Sequence, residues 1–392
     1  MRLRIAKKES AGGIKAVLIR IASVFAALLL SGLMMMAMGY DPIAAFAAII
    51  KGSFGSTHGL INTVTVAIPL LIVALGLSIS FSMRFWNIGG EGQLVMGAIF
   101  ATFAAHNLPE TTSTPVYLVT MAAAAMLGGA LFALIPGLFR AYSGTNETLF
   151  TLMLNYVAIK IAIFLRLVLW KDPAAKGFPS SKAIPKLAHL PKIFGVHSGW
   201  IIALVVTVLV YIFLKYTKRG YETRVVGESE RTAHYAGINV HQVMVSGVIL
   251  SGAVVGLAGF VKLAGASFTL SESIGGGNGF SAVIIAWLAQ LNAPVMVLVA
   301  LLFAAMEQGA MGMELALKIP ASVADIIKGL ILFTALASEF FIAYKVVIEH
   351  SPHYVLKHPH LILPDAVDDE ADDATEPELA TALESTDKEG QA

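Results

Sequence analysis

Apolar runs of about twenty residues recur from Ala16 to Lys345, and they constrain this chain more than any other feature. Some 20 residues of helix cross the ~30 Å hydrocarbon layer of a bilayer. The runs fall near 16–38, 62–83, 86–105, 115–136, 148–170, 199–214, 242–265, 278–290, 293–309 and 323–345. In lipid every backbone polar group needs an internal partner, so such runs become helices. The expectation is an all-α, polytopic membrane protein with about 10 transmembrane helices. Asn292 and Pro294 separate 278–290 from 293–309 so closely that the pair reads either as two spans or as one helical hairpin. Composition agrees: 57% of residues are hydrophobic and 14% charged, against about 25% charged in soluble domains.

Charge divides the chain into a basic N-terminus (1–15), a transmembrane domain (16–345) and an acidic tail (346–392). Arg2, Arg4, Lys7 and Lys8 precede the first run, and an even number of spans then places both termini in the cytoplasm. A cleaved signal peptide is the alternative, but the run from Ala16 to Met38 is longer than a usual signal core and no cleavage pattern follows it. The segment 171–198 opposes the charge rule: Lys171, Lys176, Lys182, Lys186 and Lys192 stand against Asp172, on what this topology makes the outer side. Pro364 to Ala392 is too acidic and polar to form a core, so disorder is the expectation there.

Several chemistries lack their motifs. The sequence holds no cysteine, hence no disulfide and no thiolate metal site. There is no GxxxxGK[ST] phosphate loop, and Gly275-Gly276-Gly277-Asn278-Gly279 lacks the Lys-Ser/Thr ending. His353, His358 and His360 lie beyond the last span and read as a solvated segment. No catalytic residue, metal, cofactor or nucleic-acid partner is expected.

The loop 215–241 carries Lys215, Lys218, Arg219, Arg224 and Arg231, which fits a cytoplasmic position. Within it, Glu228 to Ala236 can form a short helix, and Gly237 stands where a left-handed residue ends one. A short helix outside the bilayer, held between two spans, can dock on another protein.

Gly227, Ala233, Tyr235, Ala236, Gly237 and Ile238, with Ser251-Gly252 and Gly256-Leu257-Ala258-Gly259 after them, resemble the coupling region of ABC importer permeases. Phe85-Trp86-Asn87-Ile88-Gly89-Gly90-Glu91-Gly92-Gln93 resembles the "FNIGxEGQ" segment of the nucleoside and simple-sugar branch, with Trp86 inserted. Asn146-Glu147 and Thr151-Leu152-Met153-Leu154-Asn155-Tyr156 resemble its "NEvxxTLMLNY" segment. The resemblance covers about residues 16–345 and implies a permease subunit in a bacterial plasma (inner) membrane. It further implies a separate ABC ATP-binding subunit that uses the ATP, a second permease chain (same or homologous), an extracytoplasmic solute-binding protein and surrounding membrane lipid. Gly227 to Ile238 would meet the ATPase. Nucleosides rank first as solute, sugars such as ribose or galactose second, riboflavin third. An ion-coupled secondary transporter is the competing class, opposed by the shortage of paired carboxylates in the spans. A membrane protein without a transport role is a third, opposed by the polar residues within them.

Those polar residues mark a candidate path, because burying them in lipid is costly. Asn87, Glu91 and Gln93 open the third span and Asn155 sits inside the fifth. Glu91 reads either as a local cap or as a path group with a gating role. Asn155 reads equally as interhelical glue or path lining. Lys160, on the same run, needs a carboxylate or water, while Arg166 can reach outward. Gly252, Gly256 and Gly259 share one helix face and permit close crossing, within the chain or between subunits. Asp325 and Lys328 are spaced to pair on one helix.

Overall fold

The computed structural model describes residues 2–7, 14–109, 111–173, 180–320 and 322–349, with backbone only over parts of the first and last helices. The acidic tail beyond 349, His353, His358, His360 and the side chain of Lys328 lie outside the described residues. Two units are distinguished, Ser23–Ala335 and a second one made of Met1–Ala22 with Leu336–Ala392. In the second, β1 (Arg2–Lys7) pairs antiparallel with β4 (Tyr344–Glu349), from Arg2 opposite Glu349 to Lys7 opposite Tyr344. The expected last span stops at Ala343, and this ladder replaces the purely helical ends.

Most of the rest is helical. In order come α1 (Ile14–Ala37), α2 (Pro42–Phe54), α3 (Thr57–Ser82), α4 (Gly90–Asn107), α5 (Thr114–Ser143), α6 (Glu147–Phe164) and α7 (Gly199–Tyr216). Then follow α8 (Lys218–Glu228), α9 (Glu230–Tyr235), α10 (Val240–Lys262), α11 (Asn278–Leu288), α12 (Ala293–Leu317) and α13 (Ser322–Ala343). One π-helical turn extends α6 to Leu169 and another extends α10 to Ser267. Among the described residues, 6 helices are long and apolar enough to cross a membrane, or 7 if α1 and α2 form one bent span. The chain is a multi-pass membrane protein. The sequence count of about ten is larger because it also includes α1, α4, whose start is polar, α11, which is short, and α13.

α2 was not expected. It turns by 118° from the Phe25–Ala37 part of α1. Gly39 takes the positive φ of the bend, Asp41 Oδ1 accepts the Ile43 N–H at 2.9 Å, and Pro42 starts the helix as Pro does at a first position. α2 then lies tightly on α12: Gly52 faces Gly309 and Gly312 across backbone contact, and Ser53 Oγ donates to the Ala305 carbonyl.

The centre is built from α3, α4, α5 and α10, and small residues let the backbones touch. A Cβ on Gly97 would overlap the Gly256 backbone. One on Gly256 would overlap Ala125, and one on Gly252 would meet Ala133 and the Gly129 carbonyl. Gly259 lies against Leu94 and Ala98. Thus Gly252, Gly256 and Gly259 all pack within the chain, against α5 and α4. With no hydrophobic drive between helices in lipid, such close contact supplies the cohesion.

The segment 180–198 folds over the end of the bundle where α6 finishes and α7 starts. Its short strands β2 (Lys192–Ile193) and β3 (Val196–His197) pair, and Ile184 and Leu190 donate N–H groups to Phe268 and Ala264 at 2.9 Å each. The opposite end holds α8, α9 and the α11–α12 turn.

Candidate functional site

Between α3 and α4 the chain from Phe85 to Gly89 is irregular, with Phe85, Asn87 and Gly89 buried and Trp86 half-exposed. Asn87 and Gln93 exchange side-chain hydrogen bonds at 3.3 and 3.1 Å. Ile88 N–H donates to Thr151 Oγ1 at 3.1 Å. Asn155 bridges the same turn: Oδ1 accepts the Gly92 N–H at 2.8 Å and Nδ2 donates to the Ile88 carbonyl at 2.9 Å. Three backbone groups here, Ile88 N–H, Ile88 C=O and Gly92 N–H, are therefore satisfied by α6, as membrane depth requires.

Glu91 does the corresponding work for α11. Its Oε1 accepts the Gly277 N–H at 2.8 Å and its Oε2 the Gly279 N–H at 2.7 Å. Gly276 and Gly277 both have positive φ, which aims these amides at one carboxylate. Eleven residues of α11 span roughly 16 Å, so the helix begins deep in the bundle, and a carboxylate there offsets its N-terminal partial charge. Lys262 Nζ donates to the Gly275 carbonyl at 3.1 Å, within electrostatic reach of Glu91 and Glu307. At the other end of α11, Trp287 stacks on Trp86, 5.0 Å between ring centres, with Phe81 beside both. Trp86, the residue inserted into the motif, is thus half of a second clamp.

Asn87, Glu91, Gln93 and Asn155 are brought together, each 4% exposed or less. In this conformation they touch one another and backbone, not an open path. Lys262, Glu307, Trp287 and Arg140 escaped the sequence reading. Their signal is only that Lys262 and Glu307 are charges at the far parts of apolar runs.

The expected short helix at 228–236 is α9 (Glu230–Tyr235), and α8 (Lys218–Glu228) is a further helix before it. Thr217 caps α8 and Ser229 caps α9, its Oγ accepting the Thr232 N–H at 3.2 Å. Gly237 takes φ +74°, its N–H donates to His234, and the Ile238 N–H donates to Ala233, both at 3.0 Å. This pair of bonds is the Schellman ending that a glycine at that place allows. The residues of the loop divide by task. Gly227 presses on the Ser82 carbonyl with no room for a Cβ. Ala233 is buried and Ile238 packs with Met83, Phe85 and Val243. Tyr235 is 91% exposed, and Ala236 is exposed beside it.

Arg140, at the end of α5, joins this pair to the bundle. It meets Glu147 of α6 at 3.3 Å and Glu230 of α9 at 3.8 Å. Glu147 also accepts the Trp86 N–H at 3.5 Å. A displacement of α9 therefore has a polar route to the foot of α6 and to the α3–α4 connection.

A family model described as "Branched-chain amino acid transport system / permease component" matches residues 59–336. A glucose ABC transporter permease protein of Haloferax volcanii is 31% identical, over 83% of this chain and 88% of its own. A guanosine ABC transporter permease protein of Bacillus subtilis is 28% identical, over 82% and 93%. A nucleoside ABC transporter permease protein of Lactococcus lactis is also 28% identical, over 85% and 92%.

Proposed function

We propose, from a chain that belongs to the branched-chain amino acid transport system permease component family, a nucleoside-carrying subunit of an ATP-driven importer. The observation that carries the mechanism is the α8–α9 pair. It is fixed to the bundle by Gly227, Ala233 and Ile238, offers Tyr235 outward, and reaches α6 through Arg140. An ATP-binding subunit docks on the exposed side of that pair. Its closure on ATP moves α9, and Arg140 passes the displacement to Glu147 and Trp86.

α11 is the element that moves. Held by Glu91 at one end and Trp86 at the other, it is a half-length helix with two detachable ends, a form suited to two discrete positions. Asn87, Gln93 and Asn155 act on the path from behind, by holding the turn from which Glu91 projects. Ligands shift such an equilibrium only through unequal affinity for its states, so a delivering solute-binding protein favours the outward-open form and ATP the other.

The basic end, with Arg84, Lys215, Lys218, Arg219, Arg224 and Arg231, lies in the cytoplasm under the charge rule. Then α1, α3 to α7 and α10 to α13 make ten passages of the plasma membrane, and both termini are cytoplasmic. A second permease chain, identical or similar, completes the path. The chain itself hydrolyses no ATP and binds no metal or cofactor.

Two relatives whose lengths this chain matches at 92% or more carry guanosine or nucleoside in their names, which favours nucleosides. Glucose is the second reading, on the 31% identity of the haloarchaeal relative, ahead of ribose, galactose and riboflavin. The test is ATP-dependent uptake of labelled guanosine into vesicles holding this chain, its ATPase and its binding protein. Uptake that glucose abolishes and guanosine does not would overturn the nucleoside reading. Uptake without the ATPase would overturn the coupling.

A further inference from the structure

We infer that Tyr156, Lys160 and Phe164 on α6 form a solute subsite facing a water-filled path, taking a neutral solute that joins an aromatic ring to oxygen acceptors, as a nucleoside does. The inference rests on the nucleoside-importer reading above and adds where the solute is touched.

The starting observation is depth. α6 with its π-turn runs from Glu147 to Leu169. Lys160 is 160 − 147 = 13 residues from one end and 169 − 160 = 9 from the other. At 1.5 Å per residue that is roughly 20 Å and roughly 14 Å. A lysine stem of roughly 6 Å reaches neither surface by snorkelling.

Its direction is the second observation. Thr151, Asn155, Ala158 and Ala162 make the buried face of α6. Lys160 is on the other side and is exposed, on an open face of α6 with Tyr156, Val157, Ile161 and Phe164 around it. Tyr156 is 60% and Phe164 55% exposed. Among the described residues no carboxylate pairs with Lys160, whereas Arg166, six positions on, has Glu272 at 3.3 Å. Lipid cannot cover a mid-depth ammonium, so ionisable residues in spans face a bundle interior or a water-filled cavity.

The chemistry of the occupant follows from the side chains. An ammonium offers three donors and no acceptor, so it selects oxygen-rich neutral solutes and repels cations. Tyr156 and Phe164 lie one turn to either side and present ring faces on which a base stacks regardless of its identity.

The chain has no cysteine, so a single one can be placed at will. Lys160→Cys and Tyr156→Cys, assembled with the ATPase and binding protein in vesicles, are treated with a membrane-impermeant thiol reagent. Both are expected to react, more slowly with guanosine present, while Val208→Cys on the apolar exposed side of α7 stays unreacted. Lys160→Met is expected to lower guanosine uptake about tenfold at saturating solute. A complex that imports guanosine yet leaves both cysteines unreacted, or reacts at a rate indifferent to guanosine, overturns the subsite alone. So does wild-type uptake by Lys160→Met. Where Lys160→Cys fails to assemble, Tyr156→Cys decides. A wild-type complex that imports glucose but not guanosine overturns the assigned solute together with the reading it rests on.

Discussion

Glu91 and Lys160 are both charges within the thickness of the bundle, and their surroundings are opposite. Glu91 is 4% exposed, and both its oxygens accept amide hydrogens from the turn before α11. Lys160 is exposed on an otherwise apolar face with no carboxylate against it among the described residues. Both types of residue look alike in a sequence, as a polar letter in an apolar run. The difference teaches that partners decide the role. A buried charge with its hydrogen bonds filled holds structure, and an exposed one without partners at this depth needs water or a further polar group against it.

The largest expected effect tests the first half of that contrast. Glu91→Ala leaves the Gly277 and Gly279 amides and Lys262 without their acceptor and counter-charge. At 1–3 kcal/mol for each buried donor left unmade, the loss is about 3 kcal/mol or more, read as a lower thermal midpoint in detergent and as abolished uptake. Glu91→Gln keeps one accepting oxygen and loses about half as much. Lys160→Met should leave the midpoint unchanged or raised, because it removes an unpaired charge. Equal destabilisation by Glu91→Ala and Lys160→Met would break the distinction between the two sites.

Next in size is the link between the ATPase side and α6. Arg140→Ala removes the only guanidinium that meets both Glu147 and Glu230 among the described residues. Both contacts are partly solvent-exposed, so stability changes by about 1 kcal/mol or less. The effect belongs on coupling: ATP hydrolysis persists while guanosine uptake per ATP drops. Unchanged stoichiometry would remove Arg140 from the route. Gly237→Val acts at the other end of α9. It forces a β-branched residue to φ +74°, costing about 1–2 kcal/mol locally. The Ala233–Ile238 closure loosens, and uptake and solute-stimulated hydrolysis fall together. Normal values of both would sink the α8–α9 pair as the coupling element.

The helices of this fold were legible because apolar runs of membrane length admit little else. α9 was legible from the charged loop around it and from Gly237, although α8 before it was not, because Lys218 to Glu228 is a charged stretch with no apolar face to mark a helix. α2 was overlooked since thirteen residues fall short of a span, yet Gly39, Asp41 and Pro42 spell its start. Asn87, Glu91, Gln93 and Asn155 were legible as a group apart from lipid. Their partners were not, because Glu91 finds its amides 186 and 188 residues away, and backbone donors carry no residue type to search for. Arg140 and Lys262 were hidden for the same reason: a lone basic residue at the end of a run fits the membrane edge as well as a network.

The smallest effect sharpens the contrast with a third kind of buried polar group, one kept uncharged. His197 in the cap over the far end of the bundle is 3% exposed, and its Nδ1 accepts the Gly199 N–H at 3.2 Å. Burial, with the Lys192 charge adding to it, lowers its pKa from 6.5 to about 4. The neutral ring is therefore the folded form. Above pH 6.5 the folded and unfolded chains both hold this histidine neutral, and it adds no pH dependence. Between pH 6.5 and 4 the unfolded chain binds a proton that the folded one refuses, so stability falls as pH falls. Protonation at the lower limit also takes away the acceptor for Gly199. The thermal midpoint of the wild-type protein should drop across this window more steeply than that of His197→Phe, which cannot titrate. Carboxylates titrating in the same range contribute to both proteins, so the difference between the two curves isolates His197. Guanosine uptake at pH 7 should match between them if the ring serves only the cap. Parallel curves would mean that the ring takes up its proton in the fold as readily as in the unfolded chain, and that the cap does not hold it neutral.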